Sequence, residues 1–363
     1  NEEINDETYI TFCFNATVLN SSSIGTKTNN VVLSWANKTA KSSANVYMVQ
    51  PGVKIDKKFN VTNNIEGGDE VYFVLNATNT GNSSLFNTTI TDDLTEFINQ
   101  IVGSKSNITN IVAIEGNDTG SVVAKWDGDK LVITAGELGI KKSVAIKVNF
   151  IVKKDVIVGI NYTNVANVTG SSVPDGGKVY VANDSDSIDT NRLNVTKTVI
   201  NSTINNGKTN VTIGENLTYN ISVELVTGNY TKLTIEDKLP VGFEYIDGSV
   251  VVYKGKTNDK ATEGVDYTVN YDPDTRVISI VFTNEFAQDM IDNYNKVFSV
   301  SLDATVLNIT NVKAGQTKTN NATLYWNSKN ASATANVLVV EPVVNIVKKF
   351  NVTVVNGTDG AYF

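Results

Sequence analysis

The sequence predicts an all-β protein made of tandem sandwich units. Three observations predict it: a composition poor in helix formers, an apolar alternation of period two, and an internal repeat. The 363 residues include no His, only two Met and five Pro, and 41% are hydrophobic, while Asn, Thr, Val and Ile are abundant. That balance favours strands and turns and is ample for more than one folded core.

The repeat sets the organisation. Residues 25 to 59 read "GTKTNNVVLSWANKTAKSSANVYMVQPGVKIDKKF" and residues 315 to 350 read "GQTKTNNATLYWNSKNASATANVLVVEPVVNIVKKF". Trp35 and Trp326, Pro51 and Pro342, and Phe59 and Phe350 all recur at an offset of 291. A third copy of the opening strand, "LNVTKTVI" from Leu193 to Ile200, aligns with "VKIDKKFN" from Val53 to Asn60. Two complete units are expected, at 53–190 and 193–342. Residues 1–50 read as the closing strands of an earlier unit, and 344–363 as the first strand of a following unit or a donor strand. The chain begins with Asn, as a processed protein or a section of a longer one would. The partial units need neighbouring repeats or identical subunits, joined by strand donation, to cover their edges.

Within the units each element has its own signal. "GENLTYNISVEL" puts Leu217, Tyr219, Ile221 and Val223 on one face, and "RVISIVF" after "YDPDT" reads as the return arm of a hairpin. "NTGNSS" at Asn79 to Ser84 is a turn, and Asn284 to Lys296 is the one stretch suited to a short helix. Many short strands at a unit length near 140 suit immunoglobulin-like β-sandwich domains. The join "VANDSDSIDTNRLNV" reads as a polar linker, whose Asp184, Asp186 and Asp189 offer hard oxygen ligands to calcium.

Composition also excludes function classes. A net charge of -8, with no basic block interleaved with aromatics, argues against a nucleic-acid partner. No run of 18 apolar residues is present to span a membrane. Cys13 is alone and, by parity in "TFCFNATVL", faces away from Phe12, Phe14, Ala16 and Val18, so a free exposed thiol or an intermolecular bridge is expected. No cofactor motif is found. Turnover of an external substrate would need paired carboxylates, and Asp92 and Asp93 alternate to opposite faces of a strand.

Asn-X-Ser/Thr occurs 23 times, an excess that reads either as N-linked glycosylation of an extracellular surface or as Asn and Thr filling turns and solvent faces. The candidate acceptors include Asn15, Asn20, Asn37, Asn60, Asn76, Asn82, Asn87, Asn107, Asn117, Asn161, Asn210, Asn216, Asn229, Asn308, Asn321, Asn351 and Asn356.

Strand parity then places three polar side chains on inward faces. Lys197 shares a face with Leu193, Val195 and Val199, and Lys57 with Val53, Ile55 and Phe59. Asp237 sits between Ile235 and Leu239, and Asp92 between Ile90 and Leu94. Asn320 shares a face with Ala322, Leu324 and Trp326, Asn164 with Ala166 and Val168, and Asn29 with Val31, Leu33 and Trp35. One Lys, one Asp and one Asn per core admit two readings. The first is a buried ion pair with Asn completing its hydrogen bonds. The second is autocatalytic: a Lys amine deprotonated by burial attacks the Asn amide, a protonated Asp shuttles protons, and an isopeptide bond forms with loss of ammonia. The expected sets are Lys57, Asp92 and Asn164, and Lys197, Asp237 and Asn320. Lys348 and Asn29 belong to incomplete units and have no partner set in this chain.

"GDEVYFVLNATNTGNSSLFNTTITDDL" (Gly68 to Leu94) resembles the conserved-repeat family called DUF11, found in archaeal and bacterial surface proteins, although no Pro follows Leu94. "EDKLP", "VDYTVNYDPDTRVISIVF" and "NNATLYW" are similar to the isopeptide-forming domains of Gram-positive pilins and adhesins. That resemblance implies bond-forming roles for Lys197, Asp237 and Asn320, the residues that parity selects. Together these resemblances imply an adhesin-like protein of the cell envelope of a methanogenic archaeon. Its expected function is structural, as a stalk, sheath, S-layer-like or filament component. The alternative is an adhesin binding a host or cell-wall glycan through loops such as Ile101 to Val123 or Gly255 to Asp266.

Overall fold

The computed structural model describes residues 11–19, 23–114, 122–190, 193–200, 203–205, 208–341 and 345–349. It divides into two compact units, 1–62 with 70–152 and 162–188, and 63–69 with 153–161 and 189–363. The first contains β1 (Gly25–Trp35), β2 (Lys38–Met48), β3 (Val53–Phe59), β4 (Glu70–Asn79), β5 (Leu85–Asp93), β6 (Ile108–Ala113), β7 (Val123–Asp127), β8 (Lys130–Leu138), β9 (Ser143–Ile151), β10 (Asn161–Val173) and β11 (Gly176–Asp189). The second contains β12 (Asn194–Ile200), β13 (Thr203–Asn205), β14 (Lys208–Val211), β15 (Asn216–Glu224), β16 (Leu233–Lys238), β17 (Phe243–Tyr245), β18 (Val251–Lys254), β19 (Tyr267–Asp272), β20 (Val277–Phe282), β21 (Val297–Val306), β22 (Thr317–Trp326) and β23 (Lys329–Val339).

Both units follow one pairing plan. In the first, β3-β4-β9-β6 forms one sheet and β11-β10-β5-β8-β7 another; in the second, β12-β15-β21-β17 forms one and β13-β14-β23-β22-β16-β20-β19 the other. Each opening strand thus lies beside the next strand of its unit, and each Asp-bearing strand lies between the Asn-bearing strand and the arm of a hairpin. The pairs β3–β4, β4–β9, β12–β15, β15–β21, β16–β20, β16–β22, β19–β20 and β22–β23 are antiparallel, and β14 runs parallel to β23.

Period-two alternation builds the cores. β4 buries every second residue from Val71 to Asn79, and β15 buries Leu217, Tyr219, Ile221 and Val223. Phe59, Phe73, Phe97 and Phe150 meet at 4.9–6.3 Å between ring centroids in the first core. The helix Asn284–Asn293 begins where the Thr283 hydroxyl accepts the Phe286 N–H at 3.2 Å, and it buries Phe286, Ala287 and Met290. Its Phe286 stacks on Phe282 at 5.0 Å and meets Phe298 edge-on at 5.2 Å.

Asn79 holds the turn after β4. Its side-chain amide donates to the carbonyls of Ser83 (2.8 Å), Leu138 (2.9 Å) and Gly139 (3.1 Å), and its Oδ1 accepts from Gly81 (3.0 Å) and Gly52 (3.3 Å). A Cβ at Gly81 would stand 2.4 Å from the Gly52 nitrogen, so Asn79-Thr80-Gly81 needs its glycine.

Four expectations are corrected. The join from Val181 to Asp189 is not a linker but part of the 14-residue strand β11, because its inward carboxylates satisfy the edge of β3. Residues 63–69 and 153–161 lie in the second unit, where the Thr227 N–H donates to Glu66 (2.6 Å) and Lys296 pairs with Glu66 (2.8 Å). The hairpin β1–β2 pairs only with itself among the described residues, so Val31, Leu33 and Trp35 are exposed rather than core-facing. Residues 11–19 form no strand, so Phe12, Phe14 and Val18 are exposed beside a free, exposed Cys13.

Candidate functional site

Each unit carries a charged pair inside its apolar core. In the first, Lys57 projects from the centre of β3, whose inward row is Ile55, Lys57 and Phe59. It pairs with Asp92 of β5, both side chains being fully excluded from solvent. Asn164 of β10 donates through Nδ2 to the same Asp92 oxygen at 3.4 Å. In the second, Lys197 of β12 pairs with Asp237 of β16, again with both side chains fully buried, and Asn320 of β22 is 0% exposed. The ladder explains the coincidence: Asp92 lies opposite Ala166 and Asp237 opposite Ala322, so the Asn two residues earlier is in both cases the diagonal same-face neighbour.

Burial dominates the electrostatics. It lowers the pKa of Lys57 and of Lys197, against the opposing pull of Asp92 and Asp237. It raises Asp92 and Asp237 against the pull of their lysines. Both shifts favour the neutral pair, an amine beside a carboxylic acid. Each Lys also faces an aromatic ring, Lys57 at 4.0 Å from the Phe73 centroid and Lys197 at 4.9 Å from that of Tyr219.

Polar capacity is left over in both sites. Asp92 Oδ1, Asn164 Oδ1, Asp237 Oδ1, both polar atoms of the Asn320 side chain and the Tyr219 hydroxyl are buried without a hydrogen bond of normal geometry. A purely structural ion pair uses the Asn amide to complete its hydrogen bonds, as Asn164 Nδ2 does at Asp92, but the amide oxygen of each Asn is left over. An amine, a carboxyl and an amide sharing one buried site are the group types that an exchange between Lys and Asn side chains would need.

The remaining predicted residues fall as follows. Asp184 and Asp186 accept the backbone N–H groups of Lys57 (2.7 Å) and Phe59 (2.8 Å), so these carboxylates cap the edge of β3 instead of converging on a calcium ion. Among the described residues no cluster of three or more His, Cys, Asp or Glu is arranged for a metal. Asp93, exposed on the opposite face from Asp92, holds the Thr95 hydroxyl and N–H. Asn29 is exposed on β1, and Lys348 lies in no strand. Of the sequons, Asn15, Asn37, Asn60, Asn161, Asn216, Asn229 and Asn308 are exposed, and Asn76, Asn82 and Asn321 half-buried. Asn87 and Asn107 spend their side-chain N–H groups on Pro174 and Val102 carbonyls, each at 2.8 Å. Asn210 is buried, which closes it as an acceptor, because β14 lies between β13 and β23. Asn20, Asn117, Asn351 and Asn356 lie outside the described residues. Of the expected glycan loops, 101 to 114 contains helical turns and β6, 115 to 121 lie outside the described residues, and 255 to 266 contains bridges to Tyr253 and Tyr267.

Sequence reasoning missed Asn79, Tyr219 and the edge caps Asp184 and Asp186. Tyr219 was open to detection, since its hydroxyl falls on an otherwise apolar inward row.

The fold is similar to solved bacterial surface domains. The C-terminal domain of the Streptococcus agalactiae AgI/II polypeptide BspA shares 14% identity over 80% of this chain and 100% of its own, with a TM-score of 0.33. The N-terminal domain of the Streptococcus gordonii adhesin Sgo0707 shares 9% over 88% of this chain and 90% of its own, at 0.36. The T6 backbone pilin of Streptococcus pyogenes shares 11% over 80% of this chain and 64% of its own, at 0.35. Scores this low carry no argument for family or activity. No family model and no curated protein matches the chain.

Proposed function

We propose that this chain is a structural module of an extracellular, cell-surface protein of the adhesin and pilin kind. It consists of immunoglobulin-like β-sandwich repeats, each closed by an autocatalytic Lys-Asn isopeptide bond. The observation that carries this reading is the recurrence, at equivalent ladder positions, of a fully buried Lys-Asp pair beside an Asn whose amide oxygen makes no hydrogen bond of normal geometry. The reaction needs nothing external. Asp237 takes the proton of Lys197, Nζ attacks the Asn320 side-chain carbon, and the carbonyl electron pair moves onto Oδ1. As that pair returns, the bond to Nδ2 breaks, Asp237 passes its proton to the leaving nitrogen and then takes the second proton from Nζ, so that ammonia departs, a neutral secondary amide remains and Asp237 ends protonated. Lys57, Asp92 and Asn164 react in the same way.

The mechanical consequence is the function. Each Lys lies on the opening strand and each Asn on a late strand of its unit, so tension along the chain crosses a covalent bond and spares the intervening sheet. The exposed sequons would carry N-linked glycans, and the uncovered hairpin β1–β2 would be completed by a neighbouring repeat or subunit. The kinship with DUF11 and a methanogen envelope rests on the sequence resemblance alone.

Pulling a single molecule by its ends tests the reading. The bonds lock 107 residues between Lys57 and Asn164 and 123 between Lys197 and Asn320. The wild-type chain should therefore extend roughly 800 Å less than a K57A/K197A variant, at about 3.5 Å per residue. Equal extension of the two would exclude covalent closure.

The second reading is an adhesin that binds a glycan. One observation favours it: a shallow groove of about 670 Å³ on the first unit, where Asn60, Asn110 and Asn149 offer amides suited to sugar hydroxyls. Of its two aromatics, Phe150 is buried, and Tyr72 is covered by Lys147 at 3.9 Å, leaving that face of the ring closed to stacking. Retention of the chain on a glycan array, lost in N149A, would support this role.

A further inference from the structure

At one ladder position the two candidate bond-forming sites differ by a single oxygen atom. "GDEVYF" ending at Phe73 aligns with "GENLTY" ending at Tyr219. The two rings hold the same ladder position, Phe73 opposite Phe59 and Tyr219 opposite Val199, each two residues beyond the reactive Lys. The second site therefore has a phenol where the first has a bare ring.

That phenol is 0% exposed and its hydroxyl has no hydrogen-bond partner of normal geometry. The amide of Asn320 lies beside it and also faces Asp237, in contacts that fall outside normal hydrogen-bond geometry. A buried donor and acceptor held together but out of good hydrogen-bond geometry are costly in a ground state and useful in a transition state. We propose that Tyr219 is a further catalytic group of the second unit, donating its hydroxyl hydrogen to Oδ1 of Asn320 as that oxygen takes on negative charge. This rests on the bond-forming reading above.

The step balances without a change of oxidation state. Attack by Lys197 Nζ pushes the carbonyl pair onto Oδ1, and the Tyr219 O–H stabilises the oxyanion while keeping its proton. The pair then returns as ammonia leaves. Burial, with the Asp237 charge adding to it, pushes the phenol upward from its ordinary value, so it stays a neutral donor throughout. In the first unit the nearby phenol is Tyr162, half-buried, pushed up to about 12 by burial and Asp92, and engaged with the Phe97 backbone. Phe73 offers only its ring to Lys57.

The test follows both bonds as the full chain is made. In a pulse of cell-free synthesis stopped with acid at intervals, protease digestion counts the branched peptide at Lys197-Asn320 and that at Lys57-Asn164. Y219F keeps the ring and should slow the second bond by about tenfold or more, as loss of an oxyanion donor does, leaving the first unchanged. The more acidic 3-fluorotyrosine placed at position 219 should speed it relative to tyrosine, an effect that packing alone does not produce. Equal second-site rates for Y219F and wild type, with the second unit folded by Trp326 fluorescence, would overturn the proposal. If Y219F does not fold, F73Y decides: a faster first bond supports the role, and an unchanged rate contradicts it. A wild-type chain with neither branched peptide overturns the underlying bond-forming reading instead.

Discussion

A lysine that loses its charge in an apolar core is costly unless something uses it. Lys57 and Lys197 are each only partly compensated, since burial outweighs the attraction of Asp92 and Asp237. D237A should leave Lys197 in place without its proton acceptor, so the second unit should keep its full unmodified mass while the first still loses ammonia. Peptide mapping reads this directly. In the unreacted protein, removing one partner of such a buried pair costs about 3–5 kcal/mol. At Asn79, five hydrogen bonds converge on one side chain. N79A should destabilise the first unit by about 3 kcal/mol, because several buried backbone groups lose their partner together. A shift in urea midpoint measures it.

Elements show which parts of the fold could be read from sequence. Alternation alone placed Lys57, Asp92 and Asn164 on inward faces, because a one-residue slip would have turned Ile55, Ile90 and Ala166 outward as well. It failed at β11, where "NDSDSID" reads as a polar linker. Its inward positions are Asp184 and Asp186, whose partners are the backbone N–H groups of β3, and no apolar signal marks such an edge. It failed also at β1, whose row matches that of β22 while the structure places no sheet over it among the described residues. A period tells which residues share a face and not what covers that face.

The segment holding Glu66 gives a pH prediction at the same scale. Burial alone would raise Glu66, but Lys296 and the Thr227 N–H outweigh it and hold the carboxyl below its ordinary value. A carboxyl depressed on folding stabilises above its unfolded pKa, and that contribution fades as pH falls through the lower folded value. Between about pH 5 and pH 3, E66Q should therefore show a shallower loss of stability than wild type, as urea midpoints across that range would record.

On the scale of the whole molecule, each bond would close a loop of more than 100 residues. On the chain-entropy account, that stabilises each unit by about 5 kcal/mol. K57A/K197A should melt well below wild type, and thermal scans at equal glycosylation would show it. The mass of the intact chain after enzymatic removal of sugars is the most direct measurement. Two internal bonds predict a deficit of two ammonia molecules against the sequence, falling to one in K197A and to none in K57A/K197A. A wild-type mass equal to the unmodified sequence would contradict the account.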